Sequence, residues 1–287
     1  MVGTTRDPNL HVYNTAEVAA YYAELDYLSP CETVLFEMFL KSQMNILDLG
    51  VGGGRTTPYL SALAARYVGV DYAQEMITLC RQKFPRLEFQ LADAANLSAF
   101  ADSTFDAVVM AFNGMDYVIP DESRLRSLRE IRRVLRPDGI LIFSSHNPRA
   151  ILVRPAWSMK KVDDLARRVV GNGTVFLLPA KIALTCIRAA VVAFVSSAGA
   201  TAVRLIRRLP TRAFWQGEGY LIDSAHGGLL THCAEPDRVR AELGRLGYRF
   251  LKVQGDDYPR ESRLYITDWY YYVFTKAEMP TSRASCA

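Results

Sequence analysis

Apolar and polar positions alternate along the first half of the chain in a way that favours short buried strands separated by amphipathic helices. Continuous apolar runs of strand length are typical of a parallel sheet covered on both faces. Such runs predict strands at 45–49, 67–71, 87–91, 105–110 and 139–145. Helical spacing lies between them, at 56–66, 73–84 and 121–135. This order predicts βαβ units with right-handed crossovers, and therefore an α/β fold with a doubly wound sheet.

The pattern predicts more structure on either side of this region. Residues 15–40 have helical spacing that opens at Thr15. The alternation stops between about 149 and 214, then predicts a helix at 236–246 and strands at 226–232, 248–253 and 269–275. The expected organisation is an N-terminal helical cap (1–44), a core (45–148 and 215–277), a helical insert (149–214) and a disordered tail (278–287).

Composition fits a globular protein of a reducing compartment. Half of the 287 residues are apolar and 22% are charged, which suits a packed core and not a disordered chain. The five cysteines are odd in number and form no CxxC pair, so we expect neither a disulfide framework nor a metal site. The N-terminus has no apolar segment of the secretory kind, and the expected location is the cytoplasm.

A glycine cluster follows the first predicted strand in "NILDLGVGGGRTT", residues 45–57. Glycines after a strand of an open α/β sheet let the backbone approach a ligand at the carboxyl end of that strand. Dinucleotide binding would require G-x-G-x-x-G, and Arg55 occupies the place of the last glycine. The chain instead has Asp48 followed by Gly50, Gly52 and Gly54. An acid there repels a pyrophosphate and attracts a cationic amine.

This segment resembles motif I of the class I S-adenosylmethionine-dependent methyltransferases, and later segments agree with that family in order and spacing. The agreement continues through "VGVDYAQEM", "LADAANL", "AFNGM" and "VLRPDGILIF". It covers 45–147 well and 226–276 loosely. The resemblance implies S-adenosylmethionine as cofactor and a Rossmann-like, mostly parallel seven-stranded sheet with an antiparallel edge strand and a helical insert after strand five.

The resemblance also assigns cofactor contacts. It implies that Asp71 holds the ribose hydroxyls, that Met76 packs on the adenine and that Asp93 accepts from the adenine amino group. Other expected contacts are Tyr13, closing over the methionine end with Asp48 and the glycines, and Ala94, Phe112 and Asn113.

Histidines supply the candidates for a catalytic base. His146 follows the fifth strand in "FSSHNPR", on the side of the sheet where ligands bind, and histidine suits proton transfer near neutral pH. The same segment resembles sugar and polysaccharide methyltransferases. His226 and His232 are further candidates. The alternative for His146 is a hydrogen-bonded structural histidine at a strand end, and the alternative for His232 is a role in ordering the turn before the next helix. No acidic cluster follows strand five, so no metal is expected.

The insert has a charge unlike that of the remaining chain. Residues 149–212 contain twelve Lys and Arg but only two Asp, a net charge of +10 where the whole chain carries +4. Residues 189–203 are uncharged. Fifteen helical residues span roughly 22 Å, too short for a hydrocarbon core of about 30 Å. The insert is interpreted either as a lid packed on the domain or as a peripheral contact with an anionic membrane surface.

The function expected from these observations is O-methylation of a small molecule, sugar or lipid-linked glycan. The alternatives are N-methylation of a small amine, methylation of nucleic acid and a non-catalytic cofactor-binding protein. Nucleic acid is disfavoured because the basic residues of the insert alternate with aliphatic and not aromatic residues. The sequence indicates neither the acceptor nor the oligomeric state.

Overall fold

The computed structural model describes residues 9–154, 178–223, 228–260 and 264–277. In chain order, the helices are α1 (Leu10–Tyr13), α2 (Ala16–Ala23), α3 (Pro30–Phe39), α4 (Thr57–Leu63), α5 (Gln74–Lys83), α6 (Asp121–Val134), α7 (Leu178–Arg208), α8 (Arg212–Gln216) and α9 (Pro236–Arg245). The strands are β1 (Met44–Leu49), β2 (Ala64–Asp71), β3 (Glu88–Leu91), β4 (Phe105–Met110), β5 (Leu135–His146), β6 (Glu218–Asp223), β7 (Leu229–Ala234), β8 (Tyr248–Gly255) and β9 (Trp269–Lys276).

Seven of these strands form one sheet in the order β3-β2-β1-β4-β5-β9-β8. The first five run parallel, which confirms the predicted Rossmann-like, doubly wound sheet. Antiparallel pairing occurs at one edge, where β9 runs opposite to both β5 and the outermost β8. The chain order reverses direction between β1 and β4, so a ligand crevice is expected at their carboxyl ends.

Helices cover both faces of this sheet. Leu47 of β1 packs in one apolar cluster with Leu128 of α6, while its neighbour Ile46 packs in another with Leu35 of α3 and Leu60 of α4. Successive side chains of a strand point to opposite faces, and both faces are buried here. That burial explains why the strands appear in the sequence as continuous apolar runs.

The N-terminal helical region is interrupted, although its spacing predicted helix throughout 15–40. α2 ends at Ala23 and α3 begins at Pro30. Ser29 accepts a hydrogen bond from the backbone N–H of Glu32, whose carboxylate accepts one from the backbone N–H of Ser29. This capping box starts a new helix.

The strand predicted at 226–232 corresponds to β7, which runs from Leu229 to Ala234. It lies outside the seven-stranded sheet and pairs antiparallel with β6 in a separate two-stranded sheet. Residues 278–287 of the predicted tail and part of the insert, 155–177, lie outside the described residues.

Candidate functional site

The glycine loop after β1 has a backbone that L-residues rarely adopt. Gly50, Gly52 and Gly54 have φ angles of +71°, +54° and +81°, in the left-handed region that glycine enters without steric cost. Gly53 is needed for a different reason, because a Cβ there would lie 2.4 Å from the backbone carbonyl of Tyr22. The loop therefore fits closely under the end of α2.

Asp48 lies at the base of this loop and is almost fully buried. Its Oδ2 accepts hydrogen bonds from the Thr56 hydroxyl (2.7 Å) and the Tyr67 hydroxyl (2.8 Å). Burial raises the pKa of Asp48 to about 6, against the opposing effect of these hydrogen bonds. Thr56 precedes α4, so Asp48 fixes the loop to the start of that helix.

Asp71 ends β2 and connects that strand to the glycine loop. Its Oδ2 accepts from the backbone N–H of Gly52 (2.8 Å), and its Oδ1 accepts from the backbone N–H of Ala73 (2.9 Å). Desolvation raises the pKa of this buried carboxyl. Each carboxylate oxygen can accept more than one hydrogen bond, so Asp71 keeps acceptor capacity for a ligand.

One cavity brings together most of the residues predicted to contact a cofactor. Asp93 lies in its wall, and its Oδ1 accepts from the backbone N–H of Ala95 (2.8 Å). Gly54 and Asn113 lie beside the cavity and do not line it. The predicted residues on its wall are Tyr13, Asp48, Gly50, Gly52, Asp71, Met76, Asp93, Ala94 and Phe112.

Aromatic side chains close this cavity on the side of the N-terminal helices. The ring of Tyr13 lies 5.9 Å from that of Tyr117, 6.2 Å from that of Tyr22 and 6.3 Å from that of Tyr72. Burial raises the pKa of Tyr13 and Tyr117 far above the ordinary range, so both are neutral phenols.

His146, at the end of β5, forms a dyad with Asp116, which lies in the 3-10 turn 114–117 after β4. Asp116 Oδ2 accepts from the backbone N–H of His146 (2.6 Å) and lies 2.7 Å from its Nδ1. Asp116 is almost fully buried, and His146 is slightly exposed. Since an ionised carboxylate only accepts, Nδ1 carries the proton and Nε2 is free to act as an acceptor.

Asn113 borders this dyad with a left-handed backbone, φ +62°. Its backbone N–H donates to the Ser144 hydroxyl (2.7 Å), and its Nδ2 lies 3.3 Å from His146 Nε2. Within the described residues, its buried Oδ1 has no hydrogen-bond partner. A buried acceptor of this kind is suited to receive a hydrogen bond from a ligand.

His146 also lines a second cavity of about 750 Å³, between the end of α7 and the β6–β7 pair. Arg204, Arg207 and Arg208 of α7 line it, together with Asp223. Asp223 accepts from the Tyr117 hydroxyl (2.7 Å), and Arg204 forms an ion pair with Asp268. The cavity is therefore predominantly basic.

Arg208 is the cation of this cavity with the most unusual surroundings. Its Nη1 donates to the backbone carbonyls of Asn147 (2.8 Å) and Ala150 (2.7 Å). Desolvation and the neighbouring Arg204 lower the pKa of its guanidinium. Among the described residues no carboxylate forms an ion pair with it.

The other predicted histidines are placed differently. His226 lies outside the described residues. His232 is buried on β7, 3.8 Å from Glu218 through its Nε2, and borders a separate cavity with Arg149 and Glu235. Over the described ranges, no group of three or more His, Cys, Asp or Glu side chains is arranged to hold a metal ion.

Two candidate functional residues, Asp116 and Arg208, were not predicted from the sequence. Asp116 could have been found as an acid in the loop after β4, which must pass beside the end of the adjacent β5. Arg208 could not, because only the packing of α7 brings it near His146.

A comparison with protein families indicates which kind of domain contains this site. Residues 46–139 match the model of a methyltransferase domain family. This segment is therefore similar to a methyltransferase domain. The matched segment begins in β1 and ends in β5, so it contains the glycine loop, Asp71, Asp93 and Asn113. The sequence resemblance described above predicts S-adenosylmethionine as the cofactor of this segment.

Curated relatives match the same domain over part of their length. A putative methyltransferase, YqeM, of Bacillus subtilis is 30% identical over 134 residues, which are 45% of this chain and 54% of the relative. A demethylmenaquinone methyltransferase of Clavibacter sepedonicus is 35% identical over 138 residues, 46% of this chain and 54% of the relative. The chain thus spans about half the length of the curated relatives it matches.

A solved structure confirms the fold of the methyltransferase domain. An S-adenosylmethionine-dependent methyltransferase of Methanosarcina mazei superposes with a TM-score of 0.55 at 19% identity, covering 89% of this chain and all of the other.

The residues of the domain fit the cofactor. The cavity wall carries Asp48, Asp71 and Asp93, and an acidic wall suits an ammonium and a sulfonium better than a phosphate.

Proposed function

We propose that this protein transfers a methyl group from S-adenosylmethionine to a hydroxyl oxygen of a small molecule, a sugar or a lipid-linked glycan. His146 serves as the general base. The observation that carries this proposal is the Asp116–His146 dyad, whose Nδ1–Oδ2 distance is 2.7 Å. The dyad adjoins the cofactor cavity through Asn113 and Tyr117 and opens into the basic cavity.

The cofactor-binding residues position the reaction. Asp71 would hold the ribose hydroxyls, Asp93 would accept from the adenine amino group and Met76 would pack on the adenine. Asp48 and the glycine loop would hold the methionine end, and Tyr13 would close over it. When bound, S-adenosylmethionine supplies an electrophilic methyl group, so alignment and proton removal are what remain for the protein.

His146 removes the proton. Its Nε2 would take the proton of the acceptor hydroxyl, which leaves the acceptor oxygen able to receive the methyl group. Asp116 holds Nδ1 and stabilises the imidazolium that forms. Asn113 Nδ2 lies within hydrogen-bond reach of His146 Nε2. In the proposed reaction the acceptor hydroxyl would replace Asn113 as the partner of that nitrogen.

The basic cavity favours an acceptor that also carries an acidic group. Arg207 and Arg208 line it, and Arg208 is an incompletely paired, partly desolvated cation. A carboxylate or phosphate on the acceptor would supply the missing counter-charge.

The free cysteines among the described residues suit the cytoplasm, where this acceptor would be met.

N-methylation of a small amine is the alternative, because a neutral amine attacks without a base. One curated relative, from Geotalea daltonii, is named a ubiquinone/menaquinone biosynthesis C-methyltransferase, so a carbon acceptor is a further outcome of the test.

The experiment is transfer from methyl-labelled S-adenosylmethionine to an extract of the source cells, separated into lipids, soluble small molecules, glycans, nucleic acid and protein. Asp71→Ala is the blank. We expect label in acidic small molecules, sugars or lipid-linked glycans, as an alkali-stable ether that hydriodic acid cleaves. Label in nucleic acid, or on nitrogen or carbon, would overturn the proposal.

A further inference from the structure

Helix α7 turns its small and polar side chains toward the protein. Inward-facing positions recur at intervals of three and four residues, as they do along one face of a helix. Thr201 Oγ1 accepts from the backbone N–H of Val153 (3.0 Å), and Arg204 pairs with Asp268. The buried or half-buried positions of this face are Ala190, Ala193, Ser197, Thr201, Arg204 and Arg208.

The opposite side of α7 carries large apolar side chains that face outward. Phe194 is 70% exposed, Val192 65% and Ile206 75%. Leu184, Ile187, Val191, Val195 and Val203 are also exposed. The described segment Cys186–Arg208 has a mean hydropathy of 1.8, and only 6% of its most apolar window is buried.

This arrangement is the reverse of an ordinary surface helix, which turns its apolar side to the core and its polar side to water. It also does not match the predicted lid, whose apolar face would pack on the domain. Exposed apolar patches of this extent mark interaction surfaces. The outward face of α7 is therefore built for an apolar environment.

Charge identifies that environment. The sequence from 165 to 217 contains no Asp or Glu. Three arginines of this acid-free segment are exposed, namely Arg188 and Arg207 of α7 and Arg212 of the following α8. Two copies packed through this face would bring like charges together, whereas the headgroups of an anionic bilayer would attract them.

Crossing the bilayer is disfavoured, although Cys186–Arg208 has 23 residues and is long and apolar enough to cross it. A spanning helix would be surrounded by lipid, whereas Thr201 and Arg204 of α7 are bound to Val153 and Asp268 of the protein. A helix lying in the interface lets Arg188 extend its guanidinium to the headgroups.

We propose that α7 lies on the surface of an anionic lipid bilayer, with its outward face at the boundary between headgroups and acyl chains. The end of the same helix lines the cavity that holds His146. If the proposed methyl transfer holds, an amphiphilic acceptor could therefore enter from the membrane. Membrane binding itself does not depend on that function.

The test is co-sedimentation of the full chain with vesicles. One set contains phosphatidylcholine alone, and the other contains equal parts of phosphatidylcholine and phosphatidylglycerol. We expect binding to the mixed vesicles only, weakened by salt because headgroup attraction is screened. Phe194→Ser should lower that binding by about tenfold, the scale set by burying one large apolar side chain.

Met38→Ser is the matched control, since Met38 is 55% exposed on α3, away from α7. It should bind vesicles like the unaltered protein. Circular dichroism and S-adenosylmethionine titration should be unchanged in both variants, which separates failure of the membrane proposal from failure of the methyl-transfer proposal. Absence of binding, or equal binding to both vesicle sets, would overturn it. So would a dimer in ultracentrifugation that Phe194→Ser converts to a monomer.

Discussion

Asp116 holds His146 at two points, since one carboxylate oxygen lies 2.6 Å from its backbone nitrogen and 2.7 Å from its Nδ1. The first contact fixes the end of β5, and the second fixes the ring and its tautomer. Asp116 comes from the turn after β4, and His146 is the last residue of the neighbouring strand β5. Their relationship leads to a direct prediction about proton transfer.

Asp116→Asn should lower kcat by about a hundredfold, within the range of general base catalysis. The measurement is kcat with the acceptor found by labelling, beside the affinity for S-adenosylmethionine, which should not change because Asp116 does not line the cofactor cavity. Asp102→Asn, at an exposed carboxylate, should leave kcat unchanged. A kcat of Asp116→Asn equal to that of the unaltered protein would contradict the role of the dyad.

Cofactor affinity should depend on the ionisation of Asp48, whose pKa is raised by burial to about 6. If the ionised form holds the ammonium group, affinity falls about tenfold per pH unit below 6 and is constant above it. Calorimetric titration between pH 5 and 8 measures this, and Asp48→Asn should give weak, pH-independent binding. A wild-type affinity that does not change across this range would contradict the assignment.

Protonation of Asp48 would not itself unfold the protein over this pH range. The folded pKa of Asp48 lies above the unfolded value, so its contribution to stability is complete below about pH 4 and is lost as pH rises through 6. At pH 5 this group therefore favours the folded state.

Arg55→Met should destabilise the protein by about 3–5 kcal/mol, because it leaves the buried Glu32 carboxylate without its cation. The two guanidinium–carboxylate contacts are 2.7 and 2.5 Å, and both side chains are buried. Arg66→Met is the control, since Arg66 and Glu88 form an exposed pair at 3.2 Å. That change should cost about 0–1 kcal/mol. Urea unfolding compares them, and equal losses would refute this account of the buried pair.

Much of the fold could be predicted because the parallel strands are buried on both faces. β1, β4 and β5 are therefore continuous apolar runs, and the glycine loop marks where the first of them ends. The split of the N-terminal helix could also have been predicted from the sequence. Ser29 and Glu32 have the residue types and the spacing of a capping box, and Pro30 lies where a helix tolerates proline, at its start.

The missing parts of the site depend on contacts between distant segments. Asp116 is an ordinary acid in a loop until the pairing of β4 with β5 places it beside His146. Similarly, Arg208 lines the basic cavity only because the inward face of α7 packs against 147–153. A helical insert was predicted from the sequence, but which face of α7 points outward was not.

His146→Ala tests the central claim most directly, when turnover and cofactor binding are measured on the same preparation. The account predicts that the variant binds S-adenosylmethionine like the unaltered protein, because His146 does not line the cofactor cavity. Methyl transfer should fall by about 10²–10⁴-fold, the contribution of a general base. Unchanged transfer with unchanged cofactor binding would contradict the claim and favour an amine acceptor that needs no base.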